Sequence, residues 1–414
     1  MKRVVVTGLG AVTPVGNDVK SFWKNLLDGT NGIDYITKFD PSDSKVTIAA
    51  EVKDFNPADY MEKASVRKTD LYAQYAMAAA VQAMEDSGLD GKVAPERLGV
   101  YIGSGVGGMK TFIEECTTLL EKGPKHISPF FIPKMIANIA AGNVAIRFHA
   151  QGPSMCVTTA CATSANAIGE AYRAIRHGYA DAMIAGGSEA TVNALTIGGF
   201  ANCMALTTVN DPSCASLPFD KRRAGFVLGE GGGILILEEY EHAVKRGAKI
   251  YAELVGYGNT NDAYHMTAPQ PDAIGATKAI ELAVQEAGMP RDARLYINAH
   301  GTGTPLNDKT ETLAFKNALG EQAKHALISS TKSMTGHMLG ATGAVECIAC
   351  VLAMKDSIVP PTINYQEPDP DCDLDYVPNT ARKAELDYAL STNLGFGGHN
   401  ACLIFKKLEG GAAL

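Results

Sequence analysis

Short, nearly continuous apolar runs alternate along the chain with longer stretches in which apolar positions recur every three or four residues. Residues 4–7, 99–102, 182–185, 233–237, 250–256, 294–298, 327–329 and 401–405 read as strands. Residues 70–88, 162–177, 273–288 and 310–319 carry helical spacing, and most close at a glycine or a basic residue. Strands that are apolar on both faces belong to a sheet covered on both sides, and their alternation with helices predicts an α/β fold. The proline-rich stretch 359–370 reads as a surface loop.

The pattern also repeats. Residues 157–159 lead as a strand into Ala160-Cys161-Ala162-Thr163-Ser164-Ala165 and a small-residue helix. Residues 328–330 lead in the same way into Lys332-Ser333-Met334-Thr335-Gly336-His337 and Gly340-Ala341-Thr342-Gly343-Ala344. Small side chains suit helices that lie close between sheets. Two copies of one unit are expected, an N-terminal half over residues 1–250 and a C-terminal half over residues 251–414, without a linker between them.

Composition narrows the function. The 414 residues are 46% hydrophobic, enough for a large core and too many for a disordered chain. With 37 basic against 45 acidic side chains, the net charge of −8 argues against nucleic acid and anionic membrane as partners. An acidic partner would need a local basic patch. No apolar run approaches the roughly 18 residues of a membrane span, and the run behind Met1-Lys2-Arg3 breaks at Thr7-Gly8. The chain is therefore expected in the cytoplasm, its nine scattered cysteines reduced.

Two glycine-rich stretches, Gly8-Leu9-Gly10 with Gly16 and Gly103-Ser104-Gly105 with Gly107-Gly108, invite a nucleotide-binding reading. The first places its third glycine too late for G-x-G-x-x-G and lacks an acidic ribose partner, so tight turns in a crowded core are the better reading. Eight cysteines sit in apolar or loop contexts as inert thiols. Cys347 and Cys350 form a C-x-x-C inside an apolar helix, without the second pair that zinc would need. Cys161 differs, because it stands at the start of a small-residue helix. Free backbone N–H groups and the helix dipole there favour a thiolate and can hold an oxyanion. That context alone admits both a nucleophile and a structural thiol.

His300, in Asn298-Ala299-His300-Gly301-Thr302-Gly303-Thr304, and His337 each follow a strand and are flanked by glycine and hydroxyl residues. Such positions expose a side chain at a strand's C-terminal end, where α/β sites form. The other histidines read as surface residues. The spacing offers no metal motif, and no metal is expected.

Thr159-Ala160-Cys161-Ala162-Thr163-Ser164, Asn298-Ala299-His300-Gly301-Thr302-Gly303-Thr304-Pro305 and Lys332-Ser333-Met334-Thr335-Gly336-His337 resemble the three active-site blocks of the β-ketoacyl-acyl-carrier-protein synthases. Pro218-Phe219-Asp220, Gly225-Phe226-Val227-Leu228-Gly229-Glu230-Gly231 and Asn393-Leu394-Gly395-Phe396-Gly397-Gly398-His399-Asn400 agree with that family. The likeness runs in order from Arg3 to Phe405. Asp308-Lys309 and Pro360-Pro361-Thr362-Ile363-Asn364 bring it closest to the elongating synthase II type.

The resemblance implies the thiolase fold, a duplicated α-β-α-β-α sandwich of five layers, usually a homodimer. It also implies a Cys161–His300–His337 triad. Cys161 would hold the acyl chain, and the N–H groups of Cys161 and Phe396 would form the oxyanion hole. The two histidines would stabilise the enolate left when a malonyl thioester loses CO2, giving a decarboxylative condensation in fatty-acid synthesis without metal or redox cofactor. Lys332, five residues before His337 at a strand end, reads as a supporting charge paired with Glu346, and Asp308 and Glu311 read as organisers of the His300 loop. Thr302 and Thr304 would bind the phosphopantetheine arm, Phe396 would gate the nucleophile, and Val106, Phe131 and Phe200 would line the acyl pocket. Arg67, Lys68 and Lys125 would dock the acidic acyl carrier protein, with His126 where a second base is often found. Gly303 replaces a frequent serine and His399 a frequent threonine. Alternatives with the same fold are a polyketide ketosynthase and a non-catalytic chain-length partner subunit, against which Cys161 argues. A cysteine hydrolase fits two histidines less well.

Overall fold

The computed structural model describes residues 1–408, so the last six residues of the expected C-terminal half, 409–414, lie outside the described residues. Ten strands form one sheet. In chain order they are β1 (Val4–Val12), β2 (Leu98–Gly103), β3 (Ser154–Met155), β4 (Ala182–Glu189), β5 (Gly231–Glu239), β6 (Ala252–Asn261), β7 (Leu295–Asn298), β8 (Leu327–Ser329), β9 (Tyr388–Gly395) and β10 (His399–Lys406). Across the sheet the order is β8-β7-β9-β10-β6-β1-β5-β4-β2-β3.

That order reads the same from its centre outward. On one side β1 pairs antiparallel with β5 and β5 with β4, after which β4–β2 and β2–β3 are parallel. On the other, β6–β10 and β10–β9 are antiparallel, and β9–β7 and β7–β8 parallel. The sides join where Val4, Val5 and Val6 pair with Leu254, Glu253 and Ala252. Helices repeat the plan as well. They are α1 (Leu71–Ser87), α2 (Thr163–Arg176), α3 (Ile274–Ala287), α4 (Pro305–Leu319) and α5 (Thr342–Asp356). α1 covers β1 and β5 from outside, as α3 covers β6 and β10, with α4 packed on α3. α2 and α5 touch each other and reach strands of both sides, which makes them the middle of five layers. Every residue of α5 from Thr342 to Met354 is buried, as a helix enclosed on all sides requires.

Glycine permits the outer layers to approach. A Cβ at Gly10 would lie 1.9 Å from Ala79 O and one at Gly8 2.2 Å from Ala83 O, both on α1. In the other half a Cβ at Gly258 would lie 1.8 Å from Ala279 O and one at Gly256 2.3 Å from Ala283 O, both on α3. The Gly8-Leu9-Gly10 stretch is therefore the middle of a strand and not a tight turn. These glycines interrupt the apolar run, which is why β1 extends past the expected residues 4–7.

Other differences have local causes. The strand expected at residues 157–159 is the two-residue β3 at Ser154–Met155, and residues 156–159 form an extended link into the Cys161 turn. β9 gave no strand signal because its buried end is polar, with Ser391, Thr392 and Asn393. α4 begins at Pro305, earlier than residue 310, with proline in the first turn where its missing N–H costs nothing. The proline-rich stretch is not a surface loop throughout. Val359, Thr362 and Ile363 are buried, and Ser330 N–H donates to Thr362 Oγ1 at 3.0 Å. Among the described residues no helix is long and apolar enough to cross a membrane.

The strand glycines give a direct test. Gly10→Ala and Gly258→Ala should each lower stability by about 1–3 kcal/mol through overpacking, read from the denaturant midpoint. Gly198→Ala, whose Cβ meets nothing within 4 Å on a helix, should leave it unchanged or slightly higher.

Candidate active site

Each half presents a one-turn helix at the start of its central helix: Ala160–Ala162 before α2 and Leu339–Ala341 before α5. Each opens on a non-glycine residue in the left-handed region, Ala160 at φ 50 and Leu339 at φ 45. Such strain persists only where its surroundings enforce it. Cys161 follows the first of these residues. His300 follows β7, and His337 follows the helical turn Lys332–Thr335 beyond β8.

The Cys161 Sγ and one ring nitrogen from each of His300 and His337 lie within 4.8 Å of one another, all buried. The imidazole centroids are 5.3 Å apart and nearly perpendicular at 88°. All three line a cavity of about 350 Å3 that runs past Phe200, Phe226 and Phe396 to Thr302, Thr304 and Leu306.

Each side chain is held through its backbone. Glu311 on α4 accepts the N–H of His300 at 2.7 Å and of Gly301 at 2.8 Å, and takes the Thr392 hydroxyl at 2.6 Å. Burial pushes its carboxyl up to about 7. Asp308 accepts Phe219 N–H at 2.7 Å and Gly303 N–H at 3.1 Å, closing the same loop. His337 N–H donates to Val227 O at 2.7 Å and its carbonyl accepts Gly229 N–H at 2.9 Å. The Phe226 ring stands edge-on 5.1 Å from the His337 ring, and Thr342 Oγ1 lies 3.1 Å from Nδ1. Lys332 is ion-paired with Glu346 on α5, both side chains 1% exposed, and Asn393 Nδ2 donates to the other Glu346 oxygen at 2.7 Å.

Electrostatics follow from burial. Both imidazoles are held well below the usual 6.5, first by desolvation and then by the Lys332 charge, so they are neutral at pH 7. The thiol corrects an expectation. Burial pushes Cys161 up to about 12, outweighing Lys332 and the N–H groups of Phe396 and Cys161 that pull it down, so the resting group is a thiol and not a thiolate.

Sulfur and two imidazoles at this spacing could ligate a metal on geometry alone. Their surroundings argue otherwise, because ligating histidines usually donate their second N–H to a carboxylate or carbonyl. His300 Nδ1 has no partner, and His337 Nδ1 faces only a hydroxyl, with the Lys332 cation near both rings.

The remaining expected residues divide. Thr302 and Thr304 line the cavity with their hydroxyls 3.0 Å apart, and Phe200 packs 5.5 Å from Phe226 and 6.2 Å from Phe396. Val106 and Phe131 lie outside that cavity's lining, with Val106 37% exposed. Arg67, Lys68 and Lys125 are exposed, and Lys68 Nζ stands 5.5 Å over the Phe130 ring. Sequence reasoning gave no role to Thr342, Thr392, Asn393 or Glu189. Their only advance signal was being polar inside runs that otherwise read as buried.

The Lys332–Glu346 pair can be tested by breaking it from one side. Lys332→Met should cost about 3–5 kcal/mol by leaving a buried carboxylate unpaired, and Lys332→Met/Glu346→Met should recover much of that in chemical denaturation. Because the imidazole values are depressed, the two histidines' contribution to stability should be full above pH 6.5 and fall as pH drops below it. Removing the cation should let both rings protonate at higher pH, followed by histidine ring NMR.

Comparison with known proteins gives this geometry its context. Residues 1–243 match the family model described as Beta-ketoacyl synthase, N-terminal domain, and residues 251–366 the corresponding C-terminal domain. The chain is 52% identical over 410 residues to a 3-oxoacyl-[acyl-carrier-protein] synthase 2 of Synechocystis sp., covering 99% of each. A crystal structure of a Beta-ketoacyl synthase from Burkholderia phymatum superposes with a TM-score of 0.91 at 36% identity, covering 99% of this chain and 100% of that one. A type II polyketide ketosynthase, solved with its acyl-carrier protein and bound to the hexaketide, gives 0.90 at 37%, with 99% and 100% covered.

Proposed function

The chain belongs to the β-ketoacyl synthase family, and from that premise we propose that Cys161, His300 and His337 make it a 3-oxoacyl-[acyl-carrier-protein] synthase of the second type. The observation that carries this reading is the convergence of one thiol and two neutral imidazoles, within 4.8 Å, at a cavity bearing Thr302 and Thr304.

The first half-reaction moves an acyl chain from a carrier thioester to Cys161. As the new S–C bond forms, a neutral imidazole takes the thiol proton and returns it to the departing pantetheine sulfur. The N–H groups of Cys161 and Phe396, aimed at the sulfur, hold the oxyanion of the tetrahedral intermediate. In the second half-reaction a malonyl thioester loses CO2 and the electron pair of that C–C bond becomes an enolate. With Nδ1 turned to the Thr342 hydroxyl, Nε2 is the His337 nitrogen left to donate to the enolate oxygen together with His300. The enolate carbon then attacks the acyl carbon and expels the Cys161 sulfur, and the product is longer by two carbons. Burial first and the Lys332 charge second keep both rings neutral, so in this step they act as hydrogen-bond donors. This chemistry needs no metal and no cofactor beyond the pantetheine that the substrate carries.

The same reading takes residues 1–250 as the half that supplies the nucleophile and residues 251–414 as the half that supplies the histidine pair. It assigns Phe396 to gating, Val106, Phe131 and Phe200 to the acyl chain, and Thr302 and Thr304 to the pantetheine arm. Arg67, Lys68 and Lys125 are assigned to the acidic acyl carrier protein, in a chain working in the cytoplasm. A polyketide ketosynthase would use the same triad. The 52% identity to a fatty-acid synthase against 37% to a polyketide one favours the former.

A long-chain acyl carrier thioester should leave an acyl adduct on Cys161 in the intact mass, discharged as elongated product when malonyl carrier is added. Cys161→Ala should form none. An adduct that merely hydrolyses would overturn the reading in favour of a hydrolase, and no adduct from any fatty carrier would point to a polyketide substrate.

We also infer a homodimer through the β3 edge. Ser154 and Met155 are exposed at the end of the sheet, beside Ile146 at 74% and, on the adjoining helix, Ile132 at 54% exposure. An unpaired apolar edge of this kind is covered in a stable protein. Light scattering should give twice 43.7 kDa for the wild type, and Met155→Lys should shift it toward the single-chain mass.

A further inference from the structure

The two halves carry equivalent helix starts. Ala160, Cys161, Ala162 and Thr163 occupy in the first half the places of Leu339, Gly340, Ala341 and Thr342 in the second, left-handed residue included. Gly340 is thus the counterpart of Cys161. The strands above these turns correspond too. β4 ends at Glu189, paired with Gly231 on β5, as β9 ends at Gly395, paired with His399 on β10. A Cβ at Gly395 would lie 3.2 Å from Cys161 N, so a side chain there would enter the Cys161 helix start. In the other half that side chain exists, and it is the Glu189 carboxylate.

Glu189 is fully buried, and among the described residues no cation pairs with it. Its Oε2 accepts the N–H of Gly340 at 3.0 Å and of Gly105 at 2.8 Å, and its Oε1 accepts the Ser104 hydroxyl at 2.9 Å and Val106 N–H at 3.2 Å. A Cβ at Gly340 would sit 2.8 Å from Oε2 and one at Gly105 2.7 Å from it, so both glycines make room for this carboxylate. The clamp spans two working segments. Residue 340 lies three positions past His337, and Ser104 O accepts the Thr158 hydroxyl at 3.2 Å, just ahead of Cys161.

We propose that Glu189 is a positioning residue, a built-in carboxyl group that takes up the N–H of Gly340, the second half's counterpart of the Cys161 N–H, and so fixes the His337 loop against the segment behind Cys161. In the first half Gly395 offers no side chain to the Cys161 N–H. In the second Glu189 takes the Gly340 N–H, and the strained Leu339 turn between His337 and Gly340 is held by that contact. The proposal rests on the condensing reaction above, and its test separates the two.

Glu189→Ala should reduce malonyl decarboxylation and condensation kcat about a hundredfold through a misplaced His337, with KM near wild type. Acyl transfer to Cys161, which does not rely on that loop, should persist. Formate, small enough to fill the vacated cradle, should restore much of the lost decarboxylation, whereas chloride at equal ionic strength should not. A merely structural role would lower the melting temperature and both half-reactions together, with no response to formate, and would overturn the proposal. If the alanine variant does not fold, Glu189→Gln decides: it keeps the volume but offers one acceptor oxygen to four donors. Selective loss of decarboxylation in it supports the proposal, and wild-type rates in both half-reactions overturn it. A wild-type chain that does not condense at all would instead refute the assigned function.

Discussion

A lysine ammonium and a glutamate carboxylate sealed together in the central layer are the constraint around which the site is arranged. Burying two charges is expensive, and such pairs are seldom kept for stability alone. Here the pair joins three segments that chemistry needs in register. Lys332 begins the turn that leads to His337, Glu346 lies on the helix behind it, and Asn393 ties Glu346 to the strand that ends at Gly395, just before Phe396. The field of the same ammonium acts on all three groups, adding to the burial that holds both imidazoles neutral and drawing the thiol down against its burial. One interaction therefore fixes geometry and biases protonation on top of what burial does.

The duplicated frame makes so enclosed a layer possible. Glycines facing Ala79, Ala83, Ala279 and Ala283 bring the outer helices onto the sheet at backbone contact, and α2 and α5 meet between the two sides. Symmetry then places two helix starts near one another, and the halves diverge at them. One start carries cysteine beneath a bare glycine strand end. The other carries glycine beneath a glutamate. The difference between a reactive site and a filled one comes down to which partner of each contact keeps its side chain.

Much of this was legible in the sequence. Apolar runs marked the central strands because strands covered on both faces must be apolar, and the Cys161, His300 and His337 blocks stood out because glycine and hydroxyl residues surround each. The failures cluster where the chain serves the site. β9 was invisible because Thr392 and Asn393 face Glu311 and Glu346 instead of a greasy core. The proline-rich stretch looked like surface, yet its start is buried through contacts of Thr362 and Ile363 with residues 330–333. Thiol ionisation was misjudged for a related reason: a helix start can be read from sequence, but the depth at which the fold buries it cannot. Glu189 showed only its polarity, since its meaning depends on a contact with Gly340, 151 positions away.

The division of reactive groups between the two halves bears on how the molecule matures. Cysteine comes from the first-synthesised half and both histidines from the second, and the halves join through a short strand pairing and the contact of α2 with α5. A nascent or partly unfolded chain that has formed only its first half holds a lone thiol with no imidazole beside it. Reactivity thus requires the two halves to be docked, because the thiol and the imidazoles come from different ones. The cell is spared a half-built enzyme able to capture acyl groups it could not pass on.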